Sequence, residues 1–133
     1  MGFLIDSSIL VDCERGRLGL SASIERSGDD AFFISVISLS ELLHGVYRAS
    51  NERIKTRRLA FVEGIFERFP ILPITCEVAR MHARIWADLQ AQGVMIGLHD
   101  SWLAATCIAH GYAVVTRNIR EFDRVNGLNV EVW

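Results

Sequence analysis

Residues 100–116, DSWLAATCIAHGYAVVT, decide the fold class of this chain. Leu103 and Cys107 are spaced as on one face of a helix, which predicts that the segment begins as a helix. Gly111 is the residue type that most often ends a helix, and the β-branched residues of 113–116 then predict a strand. A helix that leads into an apolar strand in this way favours a parallel α/β protein.

The rest of the 133-residue chain continues this alternation without an internal repeat or a linker. We therefore predict one α/β domain over residues 1–133, in which a central, mainly parallel sheet is flanked by helices. The predicted strands lie at 2–6, 31–37, 71–74, 113–116 and 129–132. The predicted helices lie at 8–14, 19–27, 39–49, 52–69, 76–92 and 99–110.

The composition indicates the class and the surroundings of the protein. Half of the residues are hydrophobic, so we expect a folded chain and not a disordered one. No apolar run approaches the roughly 20 residues that a membrane-spanning helix needs, and the N-terminus lacks the basic region of a signal peptide. We expect a cytoplasmic protein with no membrane partner.

The net charge of −2 does not suggest a general affinity for nucleic acid, but the basic residues are clustered. All but one of the fourteen are Arg, whose planar guanidinium suits phosphate. A solvated helix face explains the first cluster equally well. The two clusters are Arg48, Arg53, Lys55, Arg57 and Arg58, and then Arg117, Arg120 and Arg124.

Four carboxylates occur where predicted strands end or predicted helices begin. Asp6 closes the first strand, and Glu41 stands in the first turn of the helix after strand 31–37, which Ser38 or Ser40 could cap. The other two are Asp100, which opens a helix, and Glu121, which lies in a loop after the strand 113–116. In parallel α/β sheets the functional crevice lies outside the carboxyl ends of the strands, so we expect these acids to meet there.

Clustered carboxylates indicate a metal site because of their mutual repulsion. Two unit charges about 4 Å apart repel by roughly 4 kcal/mol at an effective dielectric of 20. A divalent cation removes this repulsion, and oxygen-only ligands favour Mg²⁺ or Mn²⁺. Such sites often perform phosphoryl transfer, so a metal-dependent phosphodiesterase is the leading hypothesis.

The positions of the four acids alone fit structural or solvated side chains as well as they fit a metal site. Asp6 and Asp100 could be helix caps, and Glu41 and Glu121 ordinary exposed acids. Among the other acids, we do not select Asp12, which is predicted to lie on a helix surface. The alternatives to Glu121 are Asp123 and Asn118.

Four segments of the chain follow one another in an order and spacing that are specific when taken together. The segments are LIDSSIL (4–10), ISVISLSELLHG (34–45), IGLHDSWLAATCIAHG (96–111) and VVTRNIREFDRVNGLNVEVW (114–133). They resemble the VapC-type PIN-domain ribonucleases, which are toxins of type II toxin–antitoxin pairs, and the resemblance implies a PIN-like fold.

The resemblance implies a catalytic site. In it Asp6, Glu41 and Asp100 bind Mg²⁺ or Mn²⁺ and activate water, and the fourth acid of the family corresponds to Glu121. The residues expected to support the carboxylates are Ser7, Thr116 and Asn118. Arg117 and Arg120 are candidates for contact with RNA phosphates, although both also suit a solvated loop.

The resemblance also implies a substrate and partners. The substrate would be single-stranded regions of structured RNA such as tRNA, whose cleavage inhibits translation. The partners would be a cognate antitoxin, which blocks the crevice, and a second copy of the chain in a homodimer.

Two other interpretations remain. The non-enzymatic one is a catalytically silent PIN-like module that binds RNA or protein. The enzymatic one is an HD-type phosphohydrolase, suggested by His99-Asp100, which would need further histidines on a helical scaffold.

Overall fold

Five parallel strands form the centre of the molecule in the computed structural model, which describes residues 1–16, 19, 24 and 28–133. The order across the sheet is β3-β2-β1-β4-β5, and every pair of neighbours is parallel. The strands are β1 (Gly2–Ile5), β2 (Ala31–Ser35), β3 (Ile71–Leu72), β4 (Ala113–Val115) and β5 (Val130–Glu131). The described helices are α1 (Ser7–Glu14), α2 (Val36–Tyr47), α3 (Glu52–Arg68), α4 (Cys76–Ala91), α5 (Leu98–His110) and α6 (Ile119–Phe122).

Strand β1 lies at the middle of the sheet and is buried on both faces. Leu4 and Ile5 are completely inaccessible to solvent and belong to two different hydrophobic clusters. Ile5 packs in the cluster that includes residues of α1, α2 and α3, whereas Leu4 packs in the cluster that includes residues of α4 and α5. Helices therefore cover both faces, which explains why the strands are continuous apolar runs. The predicted α/β class, with a central parallel sheet flanked by helices, is confirmed.

Helix α2 begins earlier than the sequence suggested. The prediction extended the strand to residue 37 and started the helix at 39 with Ser38 or Ser40 as the cap, and both parts are wrong. Ser35 is the N-cap, and its hydroxyl accepts a hydrogen bond from the amide of Ile37 at 3.0 Å. A serine cap overrides the strand preference of the β-branched residues after it. Glu41 consequently lies in the second turn of α2.

The other described boundaries agree with the prediction to within two residues. The predicted helix 19–27 falls largely outside the described residues. The short helix α6 was not predicted, so Glu121 lies on a helix and not in a loop. Among the described helices, none is long and apolar enough to cross a membrane.

Gly111 ends α5 in a left-handed conformation, with φ of 74°. We expect Gly111→Ala to lower the free energy of unfolding by about 1–2 kcal/mol, because a Cβ disfavours this backbone region. Gly64 is a matched control inside α3, where an added Cβ meets no atom within 4 Å. Gly64→Ala should raise the free energy of unfolding by about 0.5–1 kcal/mol through helix propensity. Chemical denaturation measures both values, and equal changes in the two variants would contradict the left-handed cap.

Candidate active site

Parallel pairing brings the ends of β1 and β4 together at one edge of the sheet. Ile5 is in register with Val115, and the amide of Asp6 donates to the carbonyl of Val115 at 2.9 Å. Asp6 and Thr116, the next residues of the two segments, therefore lie side by side. An open cleft of ≈ 420 Å³ occurs here. Its lining residues are Asp6, Ser7, Ser8, Val11, Asp12, Glu41, Asp100, Arg117 and Asn118.

Asp6 is the most buried acid of the cleft, with 4% of its surface exposed. Its Oδ2 atom accepts hydrogen bonds at 2.8 Å from the hydroxyls of Ser8 and Thr116. Thr116 in turn accepts a hydrogen bond from the amide of Asn118 at 2.8 Å. These bonds fix the Asp6 carboxylate at the end of β1. Ser8 was not predicted, although its place two residues after an acid is a typical position for a local hydrogen bond.

Glu41 reaches the cleft from α2, which begins directly after β2. Its Oε1 atom accepts a hydrogen bond from the Ser7 hydroxyl at 3.4 Å. On the other side, Nδ1 of His99 lies 3.4 Å from Oε2 of Glu41. The Glu41 carboxylate is thus held between α1 and the first turn of α5.

Asp100 lies in the first turn of α5, and Asn118 donates to its Oδ2 atom at 3.3 Å. Burial and the negative charges of Asp6, Glu41 and Glu121 together raise the pKa of Asp100 to about 6, against a smaller opposite effect of His99. The other three predicted acids therefore act electrostatically on the Asp100 carboxyl group.

Glu121 is more peripheral than the other three acids. It lies on α6, and its Oε2 atom accepts a hydrogen bond from the amide of Gly97 at 3.3 Å. Asp123 is the C-cap of α6 and is not among the charges that act on Asp100. Asn118 does line the cleft. As the residue that completes the acidic site, Glu121 is favoured over Asp123 by its electrostatic effect on Asp100. Asn118 is favoured by its position in the lining of the cleft.

The carboxylates do not form an assembled ligand set. Within residues 1–16, 19, 24 and 28–133, no group of three or more His, Cys, Asp or Glu side chains is placed to hold a metal ion. Instead, each of the four acids is hydrogen bonded to donors of its own. The arrangement is a set of separately anchored carboxylates around one cleft.

The two arginines proposed for RNA contact occupy different positions. Arg117 lines the cleft, where its Nε atom lies 3.3 Å from Oδ2 of Asp12. Arg120 is exposed on α6 and is not part of the cleft lining. Asp12, which the sequence placed outside the crevice, lies in it. Its spacing of one helical turn from Ser8 on α1 was the signal that could have found it.

A buried cluster lies behind the first turn of α5. Nε2 of His82 is 2.9 Å from the Ser101 hydroxyl, which donates to the carbonyl of Leu98 at 2.7 Å. The imidazole also stacks on Trp102, with ring centroids 3.7 Å apart and an angle of 7° between the planes. Since the single Ser101 proton goes to Leu98, His82 donates from Nε2. This contact ties α4 to the turn that carries Asp100.

An acidic cleft at the carboxyl edge of a parallel, helix-covered sheet defines an α/β protein with a candidate active site. The sequence matches the PIN domain family over residues 3–128, and the chain belongs to this family.

Similarity to individual proteins extends along the whole chain. It is 42% identical over 130 residues to Ribonuclease VapC1 of Rickettsia felis, a match that covers 98% of this chain and 95% of that protein. It is 36% identical over 100 residues to the tRNA(fMet)-specific endonuclease VapC of Salmonella typhimurium, which covers 75% of this chain and 74% of that protein. Among solved structures, DNA-bound VapBC from Salmonella typhimurium has a TM-score of 0.90 at 28% identity and covers 100% of this chain and 98% of that chain.

Replacement of Asp100 should change the pH dependence of stability. The pKa of Asp100 is about 6 in the folded protein, whereas the ordinary value of an aspartate, which applies to the unfolded chain, is 3.8. At pH values between these two pKa values, the folded state therefore binds more protons than the unfolded state. The stabilisation that protonated Asp100 gives to the folded state is lost as the pH rises through 6. Asp100→Asn should raise Tm relative to the wild type at pH 7.5, with a gain that vanishes below about pH 4. Asp88→Asn, on the exposed surface of α4, is the control, because it leaves the repulsion between the acids of the cleft intact. A gain in Tm for Asp100→Asn that did not vary with pH would contradict a raised pKa of Asp100.

His82 should produce a pH dependence of opposite sign. Burial lowers the pKa of His82 from 6.5, so the unfolded state binds more protons as the pH falls. Stability from this group is present above 6.5 and is lost as the pH falls below it. His82→Gln retains a donor for Ser101 and should narrow the difference in Tm between about pH 7 and pH 5. His82→Leu removes the donor and should be less stable than His82→Gln at every pH; equal Tm values would show that the contact with Ser101 is unimportant.

Proposed function

We propose that this protein is a metal-dependent endoribonuclease and the toxin of a toxin–antitoxin pair. The observation that carries the proposal is that Asp6, Glu41 and Asp100 line one cleft. Glu121 is near enough to contribute to the raised pKa of Asp100. The ribonuclease names of the relatives from Rickettsia felis and Salmonella typhimurium support the same activity.

The chemistry of the cleft fits Mg²⁺ or Mn²⁺. The four acids offer only oxygen atoms, which hard divalent cations prefer. Burial and the repulsion by the other acids raise the pKa of Asp100, and a cation would relieve this repulsion. Asp6, Glu41 and Asp100 would hold the ion, with Glu121 at the edge of the site. When bound, the cation would lower the pKa of a water molecule and neutralise charge on the phosphate.

The remaining residues of the cleft would orient the acids. Ser8 and Thr116 keep Asp6 in place, and Asn118 supports Asp100. Ser7 holds one oxygen atom of Glu41. Because the four acids are anchored by separate donors, we propose that the ligand set assembles only when the cation enters. Arg117 lies at the cleft wall, where it can exchange Asp12 for an RNA phosphate.

The proposed substrate is RNA in single-stranded regions of structured molecules such as tRNA, with inhibition of translation as the result. The name of the Salmonella relative, a tRNA(fMet)-specific endonuclease, supports tRNA. The wide opening of the cleft suits an unpaired strand, whose backbone can reach the acids without a helical partner.

The proposed partners are an antitoxin and a second copy of the chain. The VapBC complex from Salmonella typhimurium supports the antitoxin. The homodimer and the cytoplasmic location stay predictions from the resemblance and the composition.

The experiment is cleavage of total cellular RNA by the purified protein, free of any antitoxin, with Mg²⁺ or with a chelator. We expect discrete fragments only with Mg²⁺, and a loss of at least about 100-fold in rate for Asp100→Asn because it removes a group that acts in the chemical step. Sequencing of the fragment ends would identify the RNA that is cut.

Asp88→Asn is the matched control, since it removes an exposed acid of α4 away from the cleft. It should cleave like the wild type. Cleavage that persists in Asp100→Asn, or that needs no divalent cation, would contradict the proposed site. A folded protein that binds RNA and never cuts it would instead support the silent binding module.

A further inference from the structure

The acidic cleft poses a problem for a protein that binds RNA. Its carboxylates repel the phosphates of the substrate, and among the described lining residues Arg117 is the single Lys or Arg side chain. Arg117 is itself next to Asp12. If the proposed function is correct, the bound cation offsets the carboxylates at the phosphate that is cut, and attraction for the flanking phosphates has to come from cationic side chains outside the cleft.

The turn between α2 and α3 offers such cations. We define the α2–α3 basic patch as Tyr47, Arg48, Arg53 and Arg57, all of which are exposed. Arg53 and Arg57 are four residues apart on α3 and therefore project from one face of the helix. Glu52 is the single acid between residues 48 and 58, and its Oε1 atom lies 3.9 Å from Nζ of Lys55.

Arg58 joins the two parts of this patch. Its Nη1 atom donates to the carbonyl of Gly45 at 3.1 Å, which packs the second turn of α3 against the end of α2. Gly45 lies two residues before Tyr47, and Arg58 is adjacent to Arg57. The end of α2 and the start of α3 are therefore in direct contact, and the patch includes exposed residues from both.

This patch continues from the wall of the cleft. Nε of Arg58 lies 3.9 Å from Oε1 of Glu14 at the end of α1, whose first turns line the cleft. Along α2, Arg48 follows Glu41 by seven residues, or about 10 Å of helix. At the rise of about 3.4 Å per phosphate of a strand in duplex DNA, this distance corresponds to roughly three nucleotides, and a more extended single strand needs fewer. RNA that leaves the cleft along α2 can reach the patch.

Tyr47 gives the patch a second property of single-strand binding surfaces. With 70% of its surface exposed, it contributes little to the hydrophobic core. Aromatic rings beside cations bind unpaired nucleic acid, since bases stack on the ring while the cations follow the backbone. We infer that the α2–α3 basic patch binds the single-stranded RNA that extends from the cleft, with the arginines on phosphates and Tyr47 against a base.

The test uses Asp100→Asn as the parent, so that RNA is bound without being cut. Two variants of this parent address the patch, namely Arg53→Gln/Arg57→Gln and Tyr47→Ala. Arg80→Gln/Arg84→Gln is the matched control, because this pair has the same spacing and is exposed on α4. The probes are a labelled single-stranded RNA of mixed sequence and a mononucleotide, which is too short to extend from the cleft to the patch, and Kd is measured as a function of salt concentration.

For the long RNA, the Arg53→Gln/Arg57→Gln variant should bind roughly tenfold more weakly near physiological salt. Its slope of log K against log salt should shrink by about 1.4, which corresponds to two phosphate contacts on a single strand. Tyr47→Ala should also weaken binding roughly tenfold, with little change in slope, because stacking releases no counterions. The control pair should bind the long RNA like the parent, and the mononucleotide should not distinguish any of the variants.

Other results would overturn the inference. These are a patch variant that binds the long RNA like the parent, or a control pair that loses as much affinity as the patch pair. Intact RNA binding combined with loss of a protein partner would assign the patch to protein recognition. Cleavage by the protein with Asp100 intact is measured separately. Patch-dependent binding without any cleavage would refute the proposed nuclease and leave the patch as an RNA-binding surface.

Discussion

The parallel pairing of β1 with both of its neighbours is the constraint on which the rest of the molecule depends. It places the carboxyl ends of β1, β2 and β4 at one edge of the sheet. Asp6 follows the first of these strands, α2 with Glu41 follows the second, and Thr116 follows the third. Because Leu4 and Ile5 fix β1 in two separate hydrophobic clusters, a shift in register would disturb the core and the cleft together.

This edge concentrates negative charge, and the fold compensates for it only in part. The Asp6 carboxylate accepts hydrogen bonds from the hydroxyls of Ser8 and Thr116. Asp100 is partly buried and lies among the other acids, and burial together with their charges raises its pKa to about 6. Groups with perturbed pKa values in a cleft are typical of functional sites. The uncompensated negative charge lowers the stability of the folded protein, and the same charge would attract the proposed cation.

Local patterns predicted most of the elements, and the errors have identifiable causes. The sequence correctly indicated that Gly111 ends α5 and that Asp6 closes β1, since both depend on a few neighbouring residues. It missed the start of α2 because Ser35 and the β-branched residues after it give opposing signals. It missed α6 because four residues show no periodicity. The pairing of Asp12 with Arg117 joins residues far apart in the chain, so only the folded structure reveals it.

The distribution of charge separates two tasks that an RNA-cutting protein must perform. The acids occupy the cleft, whereas exposed arginines lie outside it on α2 and α3. A cation in the cleft would act on the bond that is cut, while the arginines would act on the flanking phosphates and make binding depend on salt. Arg117 lies between these regions, and its partly exposed pair with Asp12 is weak enough to be exchanged. A net charge near zero is thus compatible with RNA binding, because binding depends on where the positive and the negative side chains lie on the surface.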